Sequence, residues 1–316
     1  LGEWPCAVLA DEIRAGNIRA VLNFGGHLLT AFPEADVLEP ALRELDVLAT
    51  TEIIANDTTA ISTHVLPTKD QLERADVTLW DFLSPRVAAQ HSPAVVEPVG
   101  DRRSSWWVLG ELGRRLGHEL VPEGADDDAM LARIVKRSRA SFEELVEAGW
   151  VEVGHDVPAP WVDRHVERLG GWRVAPRLLV EQLARLAQRA QLAESAPLVL
   201  VPRRQVRHLN SQFAFLDEPA TVVVHPDDAA ASHVADGAPV VVRSAHGAIT
   251  GIARVDDAVR PGAVSVPHGH QDVNVNRLTS RDDLDPITGM ATYCAIPVTL
   301  EPAGANHLPP APRRLP

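Results

Sequence analysis

From Leu198 onward the chain reads as six short strand-like segments, each cut off by a Gly, Pro or Asp turn. No other feature restricts the fold as much. The segments are Leu198–Val201, Thr221–Val224, Pro239–Arg243, Ala248–Val255, Ala263–Val266 and Ala295–Leu300, with one short helix, Pro226–His233, among them. Strands this short and this closely spaced predict a small closed β-barrel over residues 196–302, not an open sheet. The Pro-rich tail, residues 303–316, reads as irregular.

Residues 1–120 follow a different rule, with helical and strand patterns in alternation. Cys6–Gly16 predicts a helix stopped at Gly16-Asn17, and Ile18–Phe24 a buried strand running into Gly25-Gly26-His27. Pro33–Leu45 is helical, with Pro33 in its first turn. Val47–Thr50 and His64–Leu66 are strands, with a helix around Asn56–Ser62 between them. Val77–Trp80 and Ala94–Val96 are further strands, and Ser104–Leu116 is a helix. Such alternation predicts a parallel α/β layer, Rossmann-like but partial, with too few strands for a full doubly wound sheet and an apolar edge or face left exposed. Parallel sheets bind ligands at the carboxyl ends of their strands, where the loops Gly25–Leu29 and Thr51–Asn56 lie. Residues 121–195 read as a helical linker or insert. An acidic start at Asp126-Asp127-Asp128 leads a helix to about Leu145, a Gly/Trp/Pro-rich connection follows, and Arg177–Leu192 is a second amphipathic helix.

Length and charge narrow the function. A chain of 316 residues holds about two domains. Its formal net charge of −13 argues against a duplex nucleic-acid binder, which carries a basic face. No apolar run approaches the roughly 20 residues that a membrane helix needs. The two cysteines, Cys6 and Cys294, make neither a metal framework nor a disulfide lattice; each reads as a small buried apolar residue, and a cytoplasmic setting is expected. The chain opens LGEWPCAVLADEI, without an initiator Met or a signal peptide, and is expected to be the rear of a longer protein.

Against that acidic background, Pro202–Ser211 (PRRQVRHLNS) concentrates donors directly after a strand. Arg203, Arg204 and Arg207 would neutralise an anion, most simply a phosphate, while His208, Asn210 and Ser211 hydrogen-bond the rest. Gly25 and Gly26 suit a backbone brought close to a phosphate or base. His268 and His270 form an H-x-H pair, which lacks a third ligand nearby for a metal.

These pieces occur in an order that resembles the dimethyl sulfoxide reductase family of molybdopterin-dependent oxidoreductases, the group of formate dehydrogenases and nitrate reductases. A strand ends on Gly25-Gly26-His27-Leu28, TAISTHVLP runs from Thr59 to Pro67, and a Glu73-Arg74 turn follows. After the Arg203–Ser211 loop come HPDDAA, DGAPVVVRSAHG, PGAVSVPHGH, VNRLT and DPITG, ending at Gly289. The resemblance implies a double-psi barrel that caps one face of a bis(molybdopterin guanine dinucleotide) molybdenum cofactor. It implies cofactor contacts at Gly25, Gly26, His27, Thr51, Glu52, Arg74, Arg203, Arg204, Arg207, His208, Asn210, Ser211, His268 and Asn276. Glu52 would accept from a guanine edge, and Asn276 would pair with a pterin edge in the seam between barrel and α/β layer. The chain departs from the family at His27, where Asn is usual, and at Thr63-His64, where Ala-Asp is usual.

No C-x-x-C run is present. The family's iron–sulfur segment, with its [4Fe–4S] cluster, and the residue that ligates molybdenum are expected in a missing N-terminal half, so this segment alone carries no catalytic residue. The function implied is the cofactor-binding rear of an enzyme doing two-electron chemistry on a small molecule of formate or nitrate type, with an electron-transfer partner. The alternative is a non-catalytic molybdopterin-binding module or split subunit. A barrel adapted to bind protein is a third reading, and the donor-rich loop counts against it.

Overall fold

The computed structural model describes residues 3–78, 88–136, 140–152, 160–195, 198–208, 210, 213, 216 and 218–304. Two compact units divide the chain. One gathers the residues up to Thr50, Ile54–Val65 and the chain from Leu178 onward; the other comprises Thr51–Ile53 and Leu66–Arg177.

In the first unit a short 3-10 turn, Cys6–Val8, leads into α1 (Leu9–Arg14), which stops where Gly16 takes a φ of +77°. β1 (Ala20–Phe24), α2 (Leu28–Ala31), α3 (Ala35–Arg43), β2 (Val47–Glu52), α4 (Asp57–Ile61) and β3 (His64–Pro67) follow. The strands form a three-stranded parallel sheet in the order β1-β2-β3. The apolar stripe of α3, with Leu38, Ala41 and Leu42, packs on Ala10 and Ile13 of α1 and on Leu48 of β2. Asn56 caps α4 with a reciprocal capping box to Thr59, which ends the β2 connection sharply. Leu22, Phe24 and Val65 are more than a third exposed on their strands, as expected of a layer with few strands.

The barrel is built from β7 (Leu198–Arg203), β8 (Thr221–Val224), β9 (Pro239–Arg243), β10 (Ala248–Val255), β11 (Ala263–Pro267) and β12 (Ile296–Pro302). It closes in the order β10-β8-β11-β7-β12-β9. The pairs β8–β10 and β7–β11 are parallel and the other four are antiparallel. Every second residue faces inward, so Leu198 and Leu200, Val222 and Val224, Val240 and Val242, and Val264 and Val266 fill one core. The helix between β8 and β9, α10 (Pro226–Ala231), has Pro226 in its first turn and His225 as its cap.

The second unit corrects the sequence reading in three places. The strand expected at Ala94–Val96 is irregular chain, with Val95 and Val96 exposed and their N–H groups donating to the Leu72 carbonyl. The strand is β5 (Ala88–Ser92), flanked by β4 (Asp76–Val77) and β6 (Trp150–Glu152) in an antiparallel sheet. Its pairing partners, not its own weak apolar pattern, fix it. Of the strand expected at Val77–Trp80, residues 79 and 80 lie outside the described residues. The single helix expected from Asp126 to Leu145 is two, α6 (Asp127–Val135) and α7 (Phe142–Ala148), because Ser141 and Glu144 form a capping box that starts the second. Part of the linker or insert expected at residues 121–195 joins the fold of the earlier strands. α6, α7 and β6 complete the core around Val77, Leu131 and Leu145 with strands from before residue 120. α5 (Ser105–Arg115) and α8 (Pro160–Leu169) also belong to this unit, whereas α9 (Arg177–Ser195) falls in the first unit from Leu178 onward.

Candidate ligand site

Parallel pairing brings the carboxyl ends of β7 and β11 side by side, Arg203 opposite Pro267, and His268 N–H donates to the Arg203 carbonyl at 3.1 Å. Two loops leave from this point and run together. Their approach is close enough to require Gly269: it holds a φ of +90°, and a Cβ there would lie 1.8 Å from the Asn210 carbonyl oxygen. Asn210 has a positive φ of 55°, a conformation that asparagine tolerates better than most residues.

The imidazoles of His208 and His270 stack in this junction, with ring centroids 3.8 Å apart and planes 12° apart. Gln205 fixes the second ring. Its Nε2 donates to the Pro219 carbonyl at 3.0 Å, which turns its Oε1 toward His270 Nε2 at 2.6 Å. His270 Nε2 therefore carries the proton. His208 is buried, and its Nε2 has no hydrogen-bond partner among the described residues. His268 stands edge-on to Tyr293 at 6.0 Å.

Electrostatics separate the three arginines. Arg203 turns back onto the barrel, contrary to its expected role on an anion. Its Nη1 donates to the Ser265 carbonyl at 2.5 Å, and its Nη2 to the Thr221 carbonyl at 2.8 Å and hydroxyl at 3.1 Å. Burial, reinforced by the positive charge of Arg254, pushes its pKa down to about 10. Strands β8 and β11 leave carbonyls pointing at it, so it acts as a strap. Arg204 and Arg207 are exposed, and the Arg207 backbone N–H donates to Glu218 Oε2 at 3.0 Å. Burial, then Arg204 and His208, lower the His268 pKa. Burial, then His208, Arg203 and His268, push His270 down to about 3. Ser211 lies outside the described residues.

Asn276 occupies a 3-10 turn, Val275–Leu278, capped by the Asn274 side chain. It is 2% exposed and faces the α/β layer, where its Nδ2 donates to the Thr30 carbonyl at 2.5 Å. Asn274 Nδ2 donates to the Leu29 carbonyl at 2.6 Å. The two amides fasten the turn to α2, so a donor assigned to a pterin edge is already engaged by protein.

The remaining expected residues are scattered. Gly25 and Gly26 have φ of +68° and +96°, and a Cβ on either would meet no atom within 4 Å, so the space over that turn is open. His27 is buried, with Nδ1 3.4 Å from Thr58 Oγ1, so its ring serves the α2–α4 packing instead of an open surface. Thr51 is only 1% exposed and faces the interior of its strand, closed to a ligand. Glu52 Oε1 accepts from the Ile53 N–H at 2.8 Å. Arg74 forms a half-exposed ion pair with Asp76 at 2.9 Å. Thr51, Glu52 and Arg74 belong to the second compact unit. Cys6 and Cys294 are exposed, not buried as expected, because each sits at an element end and not on an inward-facing position.

Sequence reading missed Gln205, His270 and Asn274 as contributors. The Asn274-x-Asn276 spacing and the Gln205-to-His208 step carried the signal. Among the described residues no group of three or more His, Cys, Asp or Glu is arranged to hold a metal ion, and no helix is long and apolar enough to cross a membrane.

Residues 198–297 match the family described as Molydopterin dinucleotide binding domain, which coincides with the barrel. The chain is 26% identical over 302 residues to the NADPH-Fe(3+) oxidoreductase subunit alpha of Geobacter sulfurreducens, covering 93% of this chain and 31% of that one. It is 23% identical over 301 residues to formate dehydrogenase H of Escherichia coli, covering 91% of this chain and 41% of that one. The chain thus spans less than half the length of either relative. Its fold resembles that of acetylene hydratase from Pelobacter acetylenicus, with a TM-score of 0.71 at 17% identity over 95% of this chain and 46% of the other. A closed barrel whose sequence matches the domain family, and a relationship that continues through the α/β layer, lead to one assignment: the barrel is a molybdopterin dinucleotide-binding domain, and the chain is related over most of its length to molybdopterin-dependent oxidoreductases of the dimethyl sulfoxide reductase family.

Proposed function

We propose that this chain binds a bis(molybdopterin guanine dinucleotide) molybdenum cofactor as the rear part of a cytoplasmic oxidoreductase. One observation carries the reading: the buried Nε2 of His208 has no hydrogen-bond partner among the described residues at the junction of two loops, and the same segment carries the exposed Arg204 and Arg207. A buried polar atom left unpaired costs free energy, and an anionic ligand in that junction would satisfy it. Arg204, Arg207, His208, Asn210, Ser211 and His268 would hold the phosphate-bearing end, and the open turn at Gly25-Gly26 would let a second part of the cofactor approach backbone. Arg203, His27 and Asn276 act behind these residues by fixing the loops. The two parallel pairs inside the closed six-stranded barrel support a double-psi arrangement.

When bound, the cofactor would supply two-electron redox chemistry at molybdenum; the protein supplies binding and orientation. The molybdenum ligand, a [4Fe–4S] cluster, the formate- or nitrate-type substrate and an electron-transfer partner are assigned to the whole enzyme. A non-catalytic molybdopterin-binding module or split subunit is the second reading.

The test is molybdenum content per protein, by elemental analysis of the whole enzyme. Charge-assisted contacts are worth roughly 1.5–3 kcal/mol, so Arg204→Ala and Arg207→Ala should each lower occupancy when cofactor is limiting. Unchanged content in both variants would return the loop to a solvated turn. Oxidation of formate or reduction of nitrate by the same preparation separates an enzyme from a binding module.

A further inference from the structure

We propose that Gln205 and His270 are positioning residues that hold the His208 imidazole with its buried Nε2 presented to the phosphate group of a bound nucleotide. This rests on the ligand reading above and assigns work to two residues outside it. The argument is geometric. A lone imidazole in a loop turns about two side-chain torsions, and holding it in one orientation costs side-chain entropy. Here the ring lies flat on His270 at 3.8 Å, so its plane is set. His270 is locked in turn, because the Gln205 amide is pinned at its other end to the Pro219 carbonyl. Gln205 and His208 also pair backbone to backbone as an isolated antiparallel bridge, which closes the unit.

The charges around the stack give this arrangement its purpose. Arg203 and Arg204 approach from the same segment, His268 from the segment after β11, Arg254 from β10, and Glu218 from the chain before β8. Apart from Glu218 they are cationic or can become so, which favours an anion in the junction. Two imidazolium rings in face-to-face contact would repel, and burial among these cations keeps His270 uncharged. His270 is thus a neutral platform, and it leaves His208 as the ring available to a phosphate oxygen.

GDP, which carries the guanosine and diphosphate parts of the proposed cofactor, is the probe, titrated into the chain by calorimetry and followed by 15N NMR of labelled histidine. The unsubstituted chain should bind GDP with a change in the His208 Nε2 resonance. His208→Phe should weaken binding about tenfold, the loss of one hydrogen bond to a charged group. His270→Ala should weaken it by a similar factor and abolish the GDP-induced change at His208. His270→Phe, which keeps a flat ring beneath His208, should recover most of the affinity. The double variant His208→Phe/His270→Ala should bind no worse than His208→Phe alone. GDP binding that is unaffected by His270→Ala, or losses that add in the double variant, would overturn the positioning role while leaving the ligand reading standing. A chain that binds no GDP, with the same unfolding midpoint as its variants, would overturn both.

Discussion

His270 is the residue at which burial and acid stability meet. Its pKa, about 6.5 in an open chain, is pushed down to about 3, first by burial and then by His208, Arg203 and His268. An unfolded chain therefore takes up a proton there well before the folded one does. The contribution to stability is fully present above about pH 6.5 and is lost progressively as pH falls toward 3. Replacing His270 with Phe removes the titration and retains a ring. The urea midpoint of His270→Phe should fall less than that of the unsubstituted chain between those limits, and parallel curves would refute the assignment. At this scale the sequence was only partly legible. The donor-rich loop was readable from composition. That Arg203 straps two strands, while Arg204 and Arg207 point outward, was not, because the direction of a side chain depends on which carbonyls β8 and β11 bring to it. The bond from Asn276 to the Thr30 carbonyl belongs to a contact spanning 246 residues of chain, beyond any local pattern.

Among the elements, the barrel strands were readable to within one or two residues because short Val- and Leu-rich runs cut off by Gly, Pro or Asp turns read as strands. β5 was not readable: Ala88–Ser92 carries little apolar signal, and only its neighbours make it a strand. The β9–β10 hairpin shows what close packing of elements demands. Gly247 lies in its turn, where a Cβ would come within 2.4 Å of the Arg277 carbonyl oxygen and 3.6 Å of Asp36 Oδ2. Arg277 belongs to the 3-10 turn that carries Asn276, and Asp36 to α3. Gly247→Ala must therefore push backbone away from backbone, a change expected to cost roughly 1–3 kcal/mol. Chemical denaturation should show the loss, and Gly262→Ser, at a position open on every side but with a φ of +85°, separates packing from backbone strain. An unaffected midpoint in Gly247→Ala would mean that the turn is not tightly seated.

For the molecule as a whole, the two compact units carry separate cores and should lose stability separately. Asp127 tests this in the second unit. It accepts from Lys69 Nζ at 2.7 Å, Ser104 Oγ at 2.5 Å and Trp106 Nε1 at 2.7 Å. Burial pushes its carboxyl up, but these three donors and the Lys69 charge outweigh it and hold the pKa below the ordinary carboxylate value. The stabilisation is present above about pH 4 and disappears as pH falls through the lowered folded value. Asp127→Asn should cost about 1–3 kcal/mol at neutral pH, and the difference should shrink in acid. Hydrogen exchange should show the loss at Val77, Leu131 and Leu145 and leave the barrel strands as protected as before; a uniform loss would show a single cooperative unit.

The barrel's closure has a consequence for where the chain enters and leaves it. β7 opens the barrel and β12 ends it, and the two are paired antiparallel with Leu198 opposite Val298. The chain's exit at Pro302 is four residues further along, about 13 Å from its point of entry at the usual strand rise. The chain thus enters and leaves the ring of strands through one narrow doorway, and a cut made there leaves all six strand pairs of the ring intact.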